Sequence, residues 1–218
     1  MERYFTIDKF NTYYDLHSIL TYKSISDPEP KTNLVELDGM SGSLDLSESL
    51  TGEVTYKDRT INASFLTDKG DYKSRDRLIK EIKSNLHGKR VKLIEPDDFD
   101  HYYMGRVKIA NSTNNLAYGT FDIEATCEPW RYAINETVRR IAINSSDKIS
   151  IVLNNQGAKT LCPDIHVIGN VTIFIDGAAK SLSNGSYKIT NLKLKKGSTV
   201  VDVSGSGTIS FTYREADL

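Results

Sequence analysis

The spacing of apolar residues predicts β-strands through much of the first half of the chain. Residues 4–10 alternate apolar with polar side chains, which is the two-residue period of a half-buried strand. The same pattern predicts strands at 44–46, 59–66 and 118–127. Four apolar residues of the last strand share one face: Phe121, Ile123, Ala125 and Cys127. We therefore expect a sheet with one buried face.

Two segments between these strands lack such a pattern. Residues 26–32 contain two prolines and two acidic residues, and residues 47–53 contain Ser, Thr and Gly. Because these residue types favour turns and irregular backbone, we predict a loop at the first segment and a flexible connection at the second.

One helix is predicted over residues 74–87, from apolar side chains that recur every three and four positions. Four of them share a face: Leu78, Ile79, Ile82 and Leu86. Ser74 is placed to cap the start of the helix, and Gly88 is placed to adopt the left-handed backbone just past its end. We interpret this helix as the cover of one face of the sheet.

A β-hairpin is predicted after the helix, because residues 89–94 and 102–109 alternate on either side of an acidic turn. Its second strand carries large, adaptable side chains beside an arginine: Tyr102, Tyr103, Met104 and Arg106. Tyr, Met and Arg are enriched in protein interfaces, but the same residues also pack in ordinary cores. Both interpretations are open at this point, a subunit interface and a core with one solvated edge.

The pattern changes across Cys127-Glu128-Pro129-Trp130-Arg131-Tyr132, after which no stretch keeps a helical period. Asp176-Gly177 favours a tight hairpin turn, and residues 204–207 are predicted to lead into the last strand. Short strands are predicted at 149–153, 171–175, 187–194, 199–203 and 208–213. Short strands separated by turns predict a small β-sandwich. The predicted domains are therefore 1–137 and 138–218.

The predicted fold is mainly β with one helix, and composition agrees with it. With 218 residues, 39% of them hydrophobic, the chain can form two modest cores. The 28 basic and 29 acidic residues nearly balance, so we expect neither a nucleic-acid nor a membrane partner. Residues 139–218 hold ten Lys and Arg against six Asp and Glu, whereas the preceding residues hold 18 against 23. The first domain is thus mildly acidic.

The N-terminal residues lack the apolar core of a signal peptide, and no run of about 18 apolar residues occurs. We therefore expect the chain to be synthesised and folded in a cytoplasm.

No residue pattern predicts catalysis, a metal or a cofactor. The four histidines are scattered, and Cys127 and Cys162 lack a metal-ligand spacing, so we interpret both cysteines as small buried hydrophobes. The acidic turn at 95–100 lacks the ligand spacing and glycine of a calcium loop. Neither a Gly-x-Ser-x-Gly elbow nor a phosphate-binding glycine loop occurs. We expect no enzyme activity.

An alternative function is non-catalytic recognition of host cell-wall sugar by the second domain, since small β-sandwiches commonly bind sugars. Such sites present an aromatic platform. The only tryptophan, Trp130, lies outside this domain. The remaining candidates also fit a core: Phe174, Tyr187, Phe211 and Tyr213.

Six short motifs along the chain follow the order found in one known family. They are Arg59-Thr60-Ile61, residues 127–132, Asn154-Asn155-Gln156-Gly157, Pro163-Asp164-Ile165, residues 197–207 and Phe211-Thr212-Tyr213-Arg214. Together they resemble the distal tail proteins of long-tailed, siphovirus-type bacteriophages. Glu128-Pro129 departs from that pattern, because a Lys-Pro dipeptide is common there.

The resemblance implies an N-terminal β-sandwich domain, with the helix and the hairpin, that forms a ring, and a galectin-like C-terminal β-sandwich domain. It implies a homo-hexamer, as single or stacked rings, at the tail tip of the virion, where it joins the tail tube to the host-adsorption device and its baseplate components. It implies no cofactor, no catalysis and no sequence-specific nucleic acid. With Tyr102, Tyr103, Met104 and Arg106 as interface candidates, we expect Tyr103→Asp to leave a folded monomer.

Overall fold

The computed structural model describes residues 4–67 and 70–218, which form two compact units. Along the chain the first unit ends at Arg131, and the second comprises Tyr132–Asp217. This division falls inside a continuous strand, earlier than the boundary predicted between residues 137 and 138. The predicted boundary stays a prediction, and each unit is described here by itself.

The first unit is an antiparallel sheet with one helix. Its elements are β1 (Thr6–Ile7), β2 (Phe10–Asn11), β3 (Ile19–Ile25), β4 (Leu34–Glu36), β5 (Ser43–Asp45), β6 (Arg59–Thr67), α1 (Tyr72–Leu86), β7 (Arg90–Glu95), β8 (Asp98–Asn114) and β9 (Gly119–Ala133). The strands of the main sheet follow the order β2-β1-β7-β8-β9-β6-β3, and β4 pairs only with β5. The predicted helix, the hairpin β7–β8 and the strands β6 and β9 are confirmed.

The main sheet curls until its distant strands share one core. Phe5, which precedes β1, packs edge-on against Phe65 of β6, with ring centroids 6.3 Å apart. Because β7, β8 and β9 lie between β1 and β6, the two strands would be about 19 Å apart in a flat sheet. Phe65 also stacks on Phe121 of β9, and Ile82 and Leu86 of α1 complete this core. The helix thus covers the inner face, as the sequence predicts.

The helix starts earlier than predicted, because Asp71 rather than Ser74 caps it. The Asp71 side chain accepts a hydrogen bond from the Ser74 N–H at 2.9 Å. Gly88 follows the last turn with φ of +78°, so that prediction is confirmed. Inside the first turn Arg75 is buried, and its guanidinium donates to carbonyl oxygens, among them Gly70 at 2.6 Å and Asn115 at 2.7 Å. These bonds fix the start of the helix against the β8–β9 turn.

Several predicted strands of the first unit have different bounds, and β8 extends beyond the predicted 102–109 at both ends. The strand predicted at 4–10 is two short strands, because Asp8 adopts φ of +57° and turns the chain. The last strand continues to Ala133 instead of ending at Cys127. Pro129 is tolerated inside it, since the pairing with β6 ends at Arg59 and Cys127.

The second unit is built around one five-stranded antiparallel sheet, to which its last short strand does not belong. Its elements are β10 (Thr137–Asn155), β11 (Asp164–Ile175), β12 (Ala178–Leu182), β13 (Gly185–Lys188), β14 (Gly197–Tyr213) and the final strand β15 (Ala216–Asp217). The sheet order is β10-β14-β11-β12, and β13 pairs with β11. The turn predicted at Asp176-Gly177 is confirmed, because both residues have positive φ and join β11 to β12.

This sheet also curls, and one hydrogen bond shows by how much. Tyr213 pairs with Thr137 at the start of β10, yet its hydroxyl donates to the Asn154 carbonyl near the end of β10, at 2.6 Å. In a straight strand residues 137 and 154 would lie about 55 Å apart. The two halves of the sheet therefore face each other across one core, which confirms the mainly-β fold predicted from the sequence.

The sheet bends at a level where β10, β11 and β14 all depart from the regular strand pattern, through glycines or a register shift. Gly169 of β11 pairs with Gly207 of β14, Gly205 is one inward position further along, and β10 has a register shift between Ser145 and Ile149. Buried residues of β14 occupy odd positions on both sides of this level, so positions 205 and 207 point inward. A Cβ at Gly205 would clash with the Asn170 carbonyl oxygen. We call this level the crease.

The predicted separation of the last two strands is therefore wrong, because residues 204–207 lie inside β14. Glycine favours turns, but here the glycines leave the inner side of a bent strand without side chains. The strand predicted at 187–194 is also shorter, since β13 ends at Lys188.

Replacing Gly205 by alanine is expected to destabilise the second unit more than replacing Gly197, which begins the same strand. Both have positive φ, +121° and +102°, so both substitutions lose about 1–3 kcal/mol to backbone strain. Only Gly205→Ala adds a clash, worth roughly a further 1–3 kcal/mol. Native-state hydrogen exchange of the Val203 and Ile209 amides in the full chain measures both effects. Equal losses for the two variants would contradict the crease.

Candidate subunit interface on the first unit

The hairpin β7–β8 presents different residues to the two faces of the sheet. Val91, Leu93, Tyr103 and Val107 point inward to the core, whereas Met104 and Arg106 point outward. The four predicted interface residues are thus divided between the two faces.

Tyr103 lies in the core of the first unit and is 5% exposed. The Arg59 guanidinium lies over its ring, 5.1 Å from the centroid, and its hydroxyl is 3.5 Å from Glu95 Oε1. Burial raises the pKa of Tyr103, with the Glu95 charge acting in the same direction. A carboxylate at this position would be buried, so the burial of Tyr103 favours destabilisation by Tyr103→Asp over the folded monomer expected from the sequence.

The other three candidates lie on the outer face. Tyr102 is largely buried, with Lys92 Nζ 4.7 Å from its ring centroid. Met104 is half-buried, and Arg106 is exposed and donates to the Gly88 carbonyl oxygen. Met104 and Arg106 therefore present the accessible part of the predicted interface, whose role stays a prediction.

Met104 and Arg106 line an open groove of about 480 Å³ on this outer face. Its walls come from the start of β7, the middle of β8 and the neighbouring part of β9. Besides these two residues, the lining includes His87, Gly88, Arg90, Lys108, Glu124, Thr126, Glu128 and Asp58. We call this feature the groove; Met104 lies in it among charged and polar side chains.

Cations dominate the part of the hairpin that forms the groove. Residues 89–93 and 104–108 contain five Lys and Arg and no Asp or Glu. Arg90 pairs with Glu128 and Lys108 with Glu124 at 3.1 Å, and Asp58 also lines the groove, so the five cations of these segments exceed the three groove carboxylates by two. We call these two segments the hairpin stem.

The acidic turn of the hairpin is held by cations. Asp98 contacts His101 Nδ1 at 2.9 Å and Arg131 Nη1 at 3.2 Å, and Lys23 Nζ contacts Asp97 at 2.6 Å. Burial alone would raise the pKa of Asp98, but the hydrogen bond and charge of His101, with the Asp100 N–H and Arg131, outweigh it and lower the pKa. The turn is therefore a paired structural element.

Residues 31–54 form an extension between β3 and β6, which we call the arm. A short ladder roots it in the first unit: Lys31 N–H donates to Thr55 O and Lys57 N–H to Glu29 O, both at 2.8 Å. Beyond this ladder β4 and β5 pair with each other. The arm exposes six large apolar side chains: Leu34, Leu37, Met40, Leu44, Leu50 and Val54.

The sequence predicts a loop, one strand and a flexible connection in this part of the chain, and it does not predict the arm as one unit. One feature of the sequence does indicate the arm: isolated leucines occur among Gly, Ser and acidic residues, between two strands that pair with each other. Apolar residues at such positions have no face of a helix or sheet to join.

In the second unit the aromatic residues considered for sugar binding are engaged by the fold. Phe211 and Tyr213 lie in the core, and Tyr187 packs against it. Lys148 Nζ lies 4.2 Å from the Phe174 ring centroid. These contacts do not favour an aromatic sugar platform.

The thiols and acidic side chains also have structural surroundings. Cys127 is buried, which raises its pKa to about 12, and Cys162 is only half-buried, less than expected. Within residues 4–67 and 70–218, no three His, Cys, Asp or Glu side chains form a group suited to a metal ion. No helix in that part of the chain has the length and apolar character needed to cross a bilayer.

Comparison with known proteins finds a solved structure with a similar fold. No protein-family model and no curated protein matches the chain. Among solved structures, the chain is similar to the crystal structure of the SPP1 Dit (gp 19.1) protein, described as a paradigm of the hub adsorption apparatus in phages that infect Gram-positive bacteria. The TM-score is 0.71 at 15% identity, over 98% of this chain and 99% of that chain.

A second similarity, to the phage P2 baseplate in its activated conformation with Ca, has a TM-score of 0.42 at 9% identity and covers 97% and 98% of the two chains. It is too weak to support an argument. The first comparison confirms at the level of the fold the resemblance to distal tail proteins that the motifs indicated.

Tyr103→Asp is expected to destabilise the first unit by about 3 kcal/mol or more, because it buries a carboxylate beside Glu95. Tyr103→Phe keeps the ring and is expected to lose less than about 1 kcal/mol. Urea unfolding of the full chain, followed by the fluorescence of the only tryptophan, Trp130, measures both variants. A fully stable Tyr103→Asp variant would contradict the core placement.

Asp98 is expected to titrate below its ordinary pKa of 3.8. Since the folded-state pKa is lowered, the carboxylate stabilises the fold above pH 3.8, and this stabilisation is lost as the pH falls through the lower value. Asp98→Asn should therefore lower the melting temperature at pH 7, and less so near pH 2. Asp100→Asn, in the same turn but exposed, is the matched control. An Asp98 midpoint at or above 3.8 in a carboxyl NMR titration would be the contrary result.

Proposed function

We propose that this protein is a structural component of a phage tail tip, where its first unit forms a hexameric ring that joins the tail tube to the host-adsorption device. The observation that carries the proposal is the similarity to SPP1 Dit over nearly the whole of both chains, covering both units. SPP1 Dit is described as part of a hub adsorption apparatus. The predicted motif order supports the same assignment independently of the fold.

The surface of the first unit suits a ring. A ring requires two different patches on one subunit, each of which contacts a neighbour. The groove with Met104 and Arg106 is one such patch, and the arm is a second feature with exposed apolar side chains. Exposed apolar groups that lie close together commonly mark interaction sites.

The role we propose is non-enzymatic, and the partners are other tail proteins such as the tail tube and baseplate components. Asp97 and Asp98 of the hairpin turn pair with Lys23 and Arg131, and the buried Cys127 thiol is protonated at neutral pH. We place the protein in the virion, at the tail tip, after synthesis in the cytoplasm of the bacterial host.

Light scattering after size-exclusion chromatography tests the ring. The full chain is expected to elute as a particle of six copies, and Arg106→Glu is expected to weaken assembly by about tenfold or more, since it reverses a charge at the groove. Arg77→Glu, the same charge change on the exposed side of α1, is the matched control and should assemble normally.

A monomer at every concentration tested would contradict the proposed ring. Normal assembly of Arg106→Glu would instead remove the groove from the interface. Circular dichroism of both variants checks that the fold is retained.

A further inference from the structure

The arm carries an unusual density of exposed apolar side chains for a folded segment. Leu50 is 98% exposed, and Leu34, Leu37, Met40, Leu44 and Val54 are each more than a third exposed. Single exposed leucines are ordinary on protein surfaces, but six exposed large apolar side chains within residues 31–54 are an unusual density. The arm therefore has the chemistry of one half of an interface.

The arm is also held in shape before any partner binds. Its root is paired through Glu29, Lys31, Thr55 and Lys57, and β4 and β5 form their own ladder. Tyr56 at the root packs edge-on against Trp130, with ring centroids 5.5 Å apart. Because the backbone is already ordered, docking of the arm loses little conformational entropy.

The charge of the arm identifies the surface that fits it. Residues 31–54 contain five acidic residues and one lysine. The hairpin stem contains five cations and no acid, and the groove adds three carboxylates: Glu124 and Glu128, which form ion pairs with the stem, and Asp58, so two cations remain in excess. Opposite charge favours this pairing of surfaces over arm against arm or stem against stem.

The groove supplies the apolar part of the same surface. Met104 lies between the cations of β7 and β8, and methionine adapts to partners of irregular shape. None of the described residues of the arm lines the groove of its own chain. A second copy is therefore the occupant that provides matching apolar and acidic groups.

We propose that the arm of one copy docks in the groove of the next, so that arm and groove are the two complementary halves of the contact that closes the ring. This inference rests on the proposed ring and specifies its contact. The leucines and Met40 of the arm cover Met104, and the arm carboxylates face Arg106, Lys108 and the other cations of the stem.

A photo-crosslinking experiment on the full chain tests this contact. A benzophenone side chain replaces Leu37, and copies of normal and ¹⁵N-enriched protein are mixed before irradiation. The expected product is a crosslink between peptides of opposite isotope label that joins position 37 to residues 87–93 or 104–108. Leu116, which is 93% exposed on the same unit but outside the arm, is the matched control position and should not give it.

A second measurement uses Met40→Asp, which alters an exposed side chain and should leave the fold intact. We expect it to weaken assembly by about tenfold or more in light scattering, since it places a charge in the apolar contact. Leu116→Asp is the control and should assemble normally.

The outcomes separate the contact from the ring. Isotopically mixed crosslinks to the stem, with weakened assembly of Met40→Asp, support the contact. A six-copy particle whose crosslinks from position 37 reach other surfaces, or reach only the same copy, overturns the contact and leaves the ring. A protein that is monomeric at all concentrations overturns both.

Discussion

Each sheet of this protein has one apolar face that must be kept from water, and the way each sheet covers that face determines the rest of the structure. A single sheet layer cannot form a core alone. The first sheet curls until Phe5 meets Phe65, and α1 closes the space that is left. The second sheet folds its own long strands together at the crease, and Tyr213 joins their ends. The same constraint is met by a helix in one unit and by inward-facing glycines in the other.

In the first unit the curled sheet and α1 cover only the inner face of the sheet, so the outer face is accessible to a partner. Its polar and charged residues alternate with the core residues of the same strands, so the groove follows from the strand period and needs no separate element. The arm leaves the sheet between β3 and β6, and these two strands still pair with each other, with one register shift between Leu20 and Tyr22. Core and exposed surface thus come from the same strands.

The sequence predicted features that depend on local periodicity and missed those that depend on distant contacts. The helix, the hairpin and the inward residues of β9 follow from spacing alone, because each repeats within a few residues. Ser74 and Asp71 are equally suitable caps by residue type, and the bonds of buried Arg75 to a distant turn decide where the helix begins. Tyr103 could not be assigned to core or interface, because alternation shows that two faces exist and not which one is covered. Residues 204–207 have the composition of a turn, and only their close contact with the paired strand β11 explains why glycines lie inside β14.

The net charge of the first domain does not show that its acidic and basic residues are concentrated in different places. This separation of charge favours one kind of assembly. The acidic surplus of the domain is concentrated in the arm, whereas the hairpin stem is basic. Two copies related by a two-fold axis through either feature would bring like charges together, which disfavours a symmetric dimer. A head-to-tail arrangement instead places the acidic feature of each copy against the basic feature of the next, and such contacts form a ring when the rotation closes. The charge distribution within one unit therefore favours the cyclic assembly that we propose for this protein.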